Sequence, residues 1–118
     1  MSYLAVFLGG GLGSMARFGL ARWALAAHRE LLWATLGANV LACLLLGYLV
    51  FSSARSGDPL TTRLLLATGF CGGFSTFSTF SLEAFTLLQD GRISAAAVYV
   101  SASLVLGLVA VGVWRWVG

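Results

Sequence analysis

Four long apolar segments joined by very short connections restrict this chain more than any other feature. They cover about residues 3–27, 31–52, 62–88 and 93–116. Each exceeds the ~20 residues that an α-helix needs to cross the hydrocarbon core of a bilayer. The connections read AAHRE, SARSGDPLT and QDGR, and the second holds the only proline, Pro59, beside Gly57 and Asp58, which is a turn signal. Of the 118 residues, 59% are hydrophobic and 9% charged, and the mean hydropathy is +0.94. An ordinary soluble domain carries about 25% charged residues, and a chain this short has no aqueous core able to hide so much apolar surface. The expectation is an all-α integral membrane protein, multi-pass in the cell (inner) membrane. One membrane domain of four transmembrane helices would occupy residues 1–118.

Several classes are disfavoured at this stage. The first segment lacks a basic region ahead of its apolar run and continues too far for a signal peptide. Cys43 and Cys71 both fall inside apolar segments, which argues against a disulfide framework. The net charge of +3 comes from seven scattered arginines, with no lysine and no clustered footprint for nucleic acid. No nucleophile–base pair, metal-ligand cluster or phosphate loop is visible, so the chain does not read as an enzyme.

Flanking residues bear on topology. Trp23 and Trp33 bracket the first connection, while Trp114 and Trp116 close the last segment. Indole rings favour the membrane–water interface, so with four spans these pairs form belts on opposite sides. Arg22, Arg29 and Arg92 fall on one side, and Arg55, Arg63 and Arg115 on the other. Orientation follows an excess of Lys/Arg on the cytoplasmic side, and here there is none. Two readings are open: a weak signal overridden by other features, or a chain that inserts both ways and pairs with its inverted copy.

The third segment contains GFCGGFSTFSTF, residues 69–80. Gly69, Gly72 and Gly73 either allow close helix packing, as a small-xxx-small pair, or mark a break in the helix at membrane depth. Irregular backbone in a membrane survives only when buried in protein or facing water. A break would expose carbonyls to a cation and N–H groups to an anion, with Ser75 and Thr76 placed to cap the restarted helix. Beyond it, Phe74, Phe77 and Phe80 recur at a spacing of three, with Ser75, Ser78 and Thr79 alongside. An aromatic stripe is commonly packing. Hydroxyl donors beside electropositive ring edges, however, suit a small dehydrated anion.

Other polar residues lie at depth. Asn39 either joins two helices or donates its amide to a permeating anion. Tyr99 and Ser103 stand one helical turn apart and could continue a line of donors. Arg17, inside the first segment, either concentrates anions or anchors structure, and Gly9 and Gly13 beside it form a GxxxG face. Glu83 falls roughly 15 Å along a helix from the glycine cluster, which puts it at an interface or vestibule.

GGGLGSMARF, TLGANVLACLLLG and GFCGGFSTFSTFSLE together resemble the CrcB/Fluc family of fluoride channels, over essentially the whole chain. The resemblance implies four helices per subunit, the third broken near the midplane, in an antiparallel dual-topology homodimer. It implies passive, selective fluoride export through two pores, which lowers cytoplasmic fluoride. It also implies a structural sodium ion at the dimer interface, held by the backbone carbonyls of Gly72 and Ser75. The pore residues carried over are Asn39, Phe77 and Phe80, with Ser78, Thr79, Tyr99 and Ser103 as a polar track. The family's Thr-Thr ahead of the first pore phenylalanine is Ser75-Thr76 here, and the hydroxyl expected near Gly107 is absent. The alternative is a proton-coupled exporter like the small multidrug-resistance proteins. It needs a deep carboxylate, whereas the first segment has none and Glu83 is shallow.

Overall fold

The computed structural model describes residues 2–52 and 59–117. Helix α1 covers Ser2–Ala26, and α2 covers Leu31–Gly47 and continues through a wider π-helical turn, Tyr48–Ser52. Helix α3, residues 60–74, has an α-helical turn at Leu60–Arg63, a π-helical stretch at Leu64–Cys71 and a last α-helical turn at Gly72–Phe74. After two extended residues, α4 covers Phe77–Gln89, and α5 covers Ile93–Val117. The described residues contain no strand.

Three helices, Ser2–Ala26, Leu31–Phe51 and Ile93–Val117, are each long and apolar enough to cross a membrane. The third segment differs because it is interrupted near its midpoint. Helix α4 has 13 residues, or about 20 Å at 1.5 Å per residue, less than the ~30 Å hydrocarbon core. The surface fits a lipid setting. Leu4, Phe7, Leu8, Leu12, Met15 and Phe18 stand exposed along α1, and no large side chain among the described residues is fully buried. Much of the apolar surface therefore faces outward, in a pattern water would penalise.

Gly69 and Gly73 of the third segment act as packing surfaces, not as the break. Gly9 and Gly13 on α1 lie against α3: a Cβ at Gly9 would overlap the Leu65 carbonyl, and one at Gly13 would overlap the Phe70 carbonyl. On the other side, a Cβ at Gly73 would overlap the Gly10 carbonyl, and one at Gly69 would sit 2.9 Å from Gly9 Cα. The two backbones approach closely because neither carries a side chain there.

The break at membrane depth lies just after these glycines and not at them. Gly72 is helical, at φ −64° and ψ −37°, and Gly72–Phe74 completes a helical turn. Only Ser75 (φ −83°, ψ 158°) and Thr76 (φ −155°, ψ 118°) are extended. Ser75 holds the helix that far, since its N–H and its Oγ both donate to the Cys71 carbonyl, at 2.9 and 2.7 Å. A side chain at Gly72 would meet nothing within 4 Å. Within the subunit, neither close approach nor unusual backbone requires glycine there.

Both short connections end their helices by the same device. Arg29 N donates to Ala24 O and His28 N to Leu25 O, with His28 left-handed at φ 57°. Arg92 N donates to Leu87 O and Gly91 N to Leu88 O, with Gly91 at φ 76°. This is the paired-bond helix terminus that usually employs glycine. The two turns sit at one end of the bundle, where Arg92 pairs with Glu30 at 3.4 Å. At the far end Tyr48 meets Trp114 edge-on, with ring centroids 5.3 Å apart. Arg55 lies outside the described residues.

Candidate functional site at the helix break

The site begins with Thr76. Were the helix continuous, the Thr76 N–H would bond the Gly72 carbonyl four residues back. It donates instead to Asn39 Oδ1 on α2, at 2.8 Å. Asn39 Nδ2 donates back to the Thr76 carbonyl at 3.4 Å. The amide thus holds both polar groups of one extended residue and pins the break to α2.

Thr76 is also the N-cap of α4. Its Oγ1 accepts from Thr79 N at 3.2 Å, bonds Thr79 Oγ1 at 3.2 Å and contacts Ser78 Oγ at 3.2 Å. In a continuous helix Thr79 N would bond the Ser75 carbonyl. These two donors are therefore withdrawn from the carbonyls of Gly72 and Ser75, and the break likewise withdraws those of Phe77 and Ser78 from Gly73 and Phe74. Gly73 fares differently, because Arg17 Nε donates to its carbonyl at 3.2 Å. That bond ties α1 to the last turn of α3 and sets a cation at the negative end of its dipole.

A cleft of about 250 Å³ opens beside the break, lined by Asn39, Cys43, Ser75, Thr76, Phe77, Phe80, Ser103, Leu104 and Gly107. Among the described residues, neither a carboxylate nor a basic side chain lines it. Phe77 is 79% exposed, although it sits at the centre of the third segment. Its ring lies 5.9 Å from that of Phe80, which lies 5.2 Å from the Tyr99 ring. The Ser103 Oγ is buried and has no hydrogen-bond partner among the described residues. The start of α4 adds the unbonded N–H groups and positive dipole end of a helix N-terminus. Chemically this is a set of neutral donors beside ring edges, suited to an anion.

The residues singled out in the sequence divide into groups. Asn39, Ser75, Phe77, Phe80 and Ser103 meet at the cleft. Ser78 and Thr79 stand beside it, bonded to Thr76. Tyr99 is buried behind Phe80 and donates its hydroxyl to Glu83 Oε1 at 3.0 Å. Arg17 and Gly72 belong to the α1–α3 contact and the end of α3, outside the cleft lining. The central place of Thr76 was not anticipated beyond its role as a cap. Its signal was the asparagine in the middle of an apolar helix, which needs a partner with both a donor and an acceptor. No group of three or more His, Cys, Asp or Glu side chains able to hold a metal is present among the described residues.

Comparison with known proteins agrees along nearly the whole chain. A relative from Rhizobium johnstonii is 41% identical over 110 residues, covering 92% of this chain and 88% of its own. One from Phocaeicola vulgatus is 39% identical over 119 residues, covering 96% of each. One from Serratia proteamaculans is 41% identical over 122 residues, covering 98% of this chain and 95% of its own. All three bear the name fluoride-specific ion channel FluC, which describes a channel and not an enzyme. The family model for CrcB-like protein, Camphor Resistance (CrcB), matches residues 4–115, and the chain is a member of that family.

Proposed function

We propose that this protein is a fluoride-selective channel that lets fluoride leave the cytoplasm passively and so lowers its concentration there. The observation that carries this reading is the cleft at the helix break. Asn39, Thr76 and Ser103, whose hydroxyl has no partner among the described residues, line it together with Phe77 and Phe80, and no carboxylate or basic side chain among the described residues joins them. Fluoride is small and strongly hydrated, and it needs several close donors to replace its water. The names of the relatives point to the same ion. A proton-coupled exporter is not favoured, because the carboxylate of Glu83 is engaged by Tyr99 away from the cleft.

The working unit in this proposal is an antiparallel homodimer of four-span subunits in the cell membrane. The even division of arginines between the two sides supports dual insertion. The cleft is open on one side and Phe77 is 79% exposed, which suits closure by a second copy.

Structural sodium fits the residues present. Gly72 and Ser75 carbonyls have lost their helical donors to Asn39 and Thr76. Two such carbonyls from each of two chains would give a small monovalent cation four oxygens. The ion would neutralise carbonyl dipoles where the two breaks meet and would hold the subunits together. The test of the functional reading is ion efflux from liposomes containing the purified protein. Fluoride release with chloride retained is expected, and equal release of both would overturn it.

A further inference from the structure

Cys43 lies one helical turn beyond Asn39 on α2, and both line the cleft. Across from them on α5, Gly107 lies one turn beyond Ser103, and both line the same cleft. Gly107 offers no side chain. The atom nearest to where its Cβ would stand is Cys43 Sγ, at 3.6 Å, with nothing else within 4 Å. A Cβ at position 107 would therefore rest directly against the cysteine sulfur, and removing the sulfur would free space beside it. The neighbouring Ser103 hydroxyl is buried without a partner among the described residues, a donor the fold leaves unused. Cys71, the other cysteine, is 4% exposed and packs with Ala38, Ala42 and Phe74, outside the cleft lining.

We infer that the Cys43 thiol lines the anion path and is the donor that follows Ser103, in place of a side chain at Gly107. This rests on the channel reading above. A thiol is a weak hydrogen-bond donor of small size, so it extends the line of neutral donors without adding charge. It also gives the path a soft ligand. Silver ion binds thiols: the S–H proton passes to water, an S–Ag bond forms, and no electron changes hands. Silver on Cys43 would put a cation and its bulk into a cleft of about 250 Å³.

The experiment is fluoride efflux from liposomes in chloride-free buffer. Silver ion is expected to block the wild-type protein and the Cys71→Ala variant, and to leave Cys43→Ser conducting. Without silver, Cys43→Ala is expected to lower flux by about threefold to tenfold, the weight of one hydrogen bond, and Cys43→Ser, which restores a donor, to lower it less than Cys43→Ala does. The reciprocal variant Cys43→Ala/Gly107→Ser moves a donor to the facing helix, into the vacated space, and is expected to recover flux. Cys43→Ala/Gly107→Ala refills the same space without a donor and is expected not to recover flux, whereas a cysteine that merely packs would be rescued by either side chain at 107. A wild type that conducts no fluoride overturns the channel reading and this inference with it. A conducting wild type that ignores silver, or a Cys43→Ala variant with full flux, overturns this inference alone.

Discussion

Asn39 grips Thr76 at both ends, accepting its N–H at 2.8 Å and donating to its carbonyl at 3.4 Å. The pair replaces, from another helix, the bonding that Thr76 gives up by leaving the helix. Asn39→Ala would strand both groups, and an unsatisfied buried polar group costs about 1–3 kcal/mol. The variant is expected to melt at lower temperature in detergent and to lose most of its fluoride flux. Asn39→Asp keeps the acceptor but sets a carboxylate oxygen against the Thr76 carbonyl, so it too is expected to lose flux. Thermal unfolding and liposome efflux, measured together, check both. An Asn39→Ala protein with wild-type melting would show that the grip does not support the break.

The glycine face of α1 gives a contrast inside one motif. In GGGLG, a Cβ at Gly13 would overlap the Phe70 carbonyl and lie 2.7 Å from Phe74 N, whereas one at Gly11 meets nothing within 4 Å. Overpacking against backbone costs about 1–3 kcal/mol, so Gly13→Ala is expected to destabilise the fold by that amount. Gly11→Ala is expected to be neutral or to gain up to about 1 kcal/mol of helix propensity. Melting temperatures of the two variants, compared in one detergent, decide it, and equal melting would contradict the packing described.

Much of this was legible in the sequence, for identifiable reasons. Long apolar segments and short joins gave the helices, because a membrane leaves the backbone few other choices. Gly9 and Gly13 gave the close packing face. The break and its Thr76 cap were legible, but the glycines that signalled it are helical or packed, and the extended Thr76 is held by Asn39, 37 residues away in sequence. The π-helical stretch Leu64–Cys71 left no trace, as LLLATGFC has no composition that distinguishes it from an α-helix. The Tyr99–Glu83 bond and the meeting of Cys43 with Gly107 depend on the helix-to-helix register, which hydrophobic periodicity does not specify in segments apolar on all sides.

His28 closes α1 in the left-handed conformation, at φ 57°, where Gly91 closes α4 at φ 76°. A Cβ in that conformation costs roughly 1–2 kcal/mol, and the side chain at 28 is exposed. His28→Gly is expected to stabilise the protein by about 1 kcal/mol, with part of the relief offset by glycine's greater freedom when unfolded. Gly91→Ala is expected to destabilise it by a similar amount. Thermal unfolding checks both signs, and a loss of stability in His28→Gly would show that the histidine contributes something beyond the turn.

Glu83 separates the two transport mechanisms. Its carboxylate accepts the Tyr99 hydroxyl at 3.0 Å, and Tyr99 in turn backs the Phe80 ring at 5.2 Å. Glutamine at 83 keeps an oxygen acceptor for that bond and removes both the charge and the titratable proton. A proton-coupled exporter would lose its coupling group and stop. A passive channel has no such requirement, and taking a negative charge from near an anion path does not oppose anion entry. Glu83→Gln is therefore expected to retain fluoride flux, whereas Glu83→Leu, which strands the Tyr99 hydroxyl, is expected to lower stability by about 1–3 kcal/mol. Efflux measured with and without an imposed pH gradient supplies the comparison. A wild type whose flux follows the proton gradient, with a silent Glu83→Gln, would overturn passive conduction in favour of proton coupling.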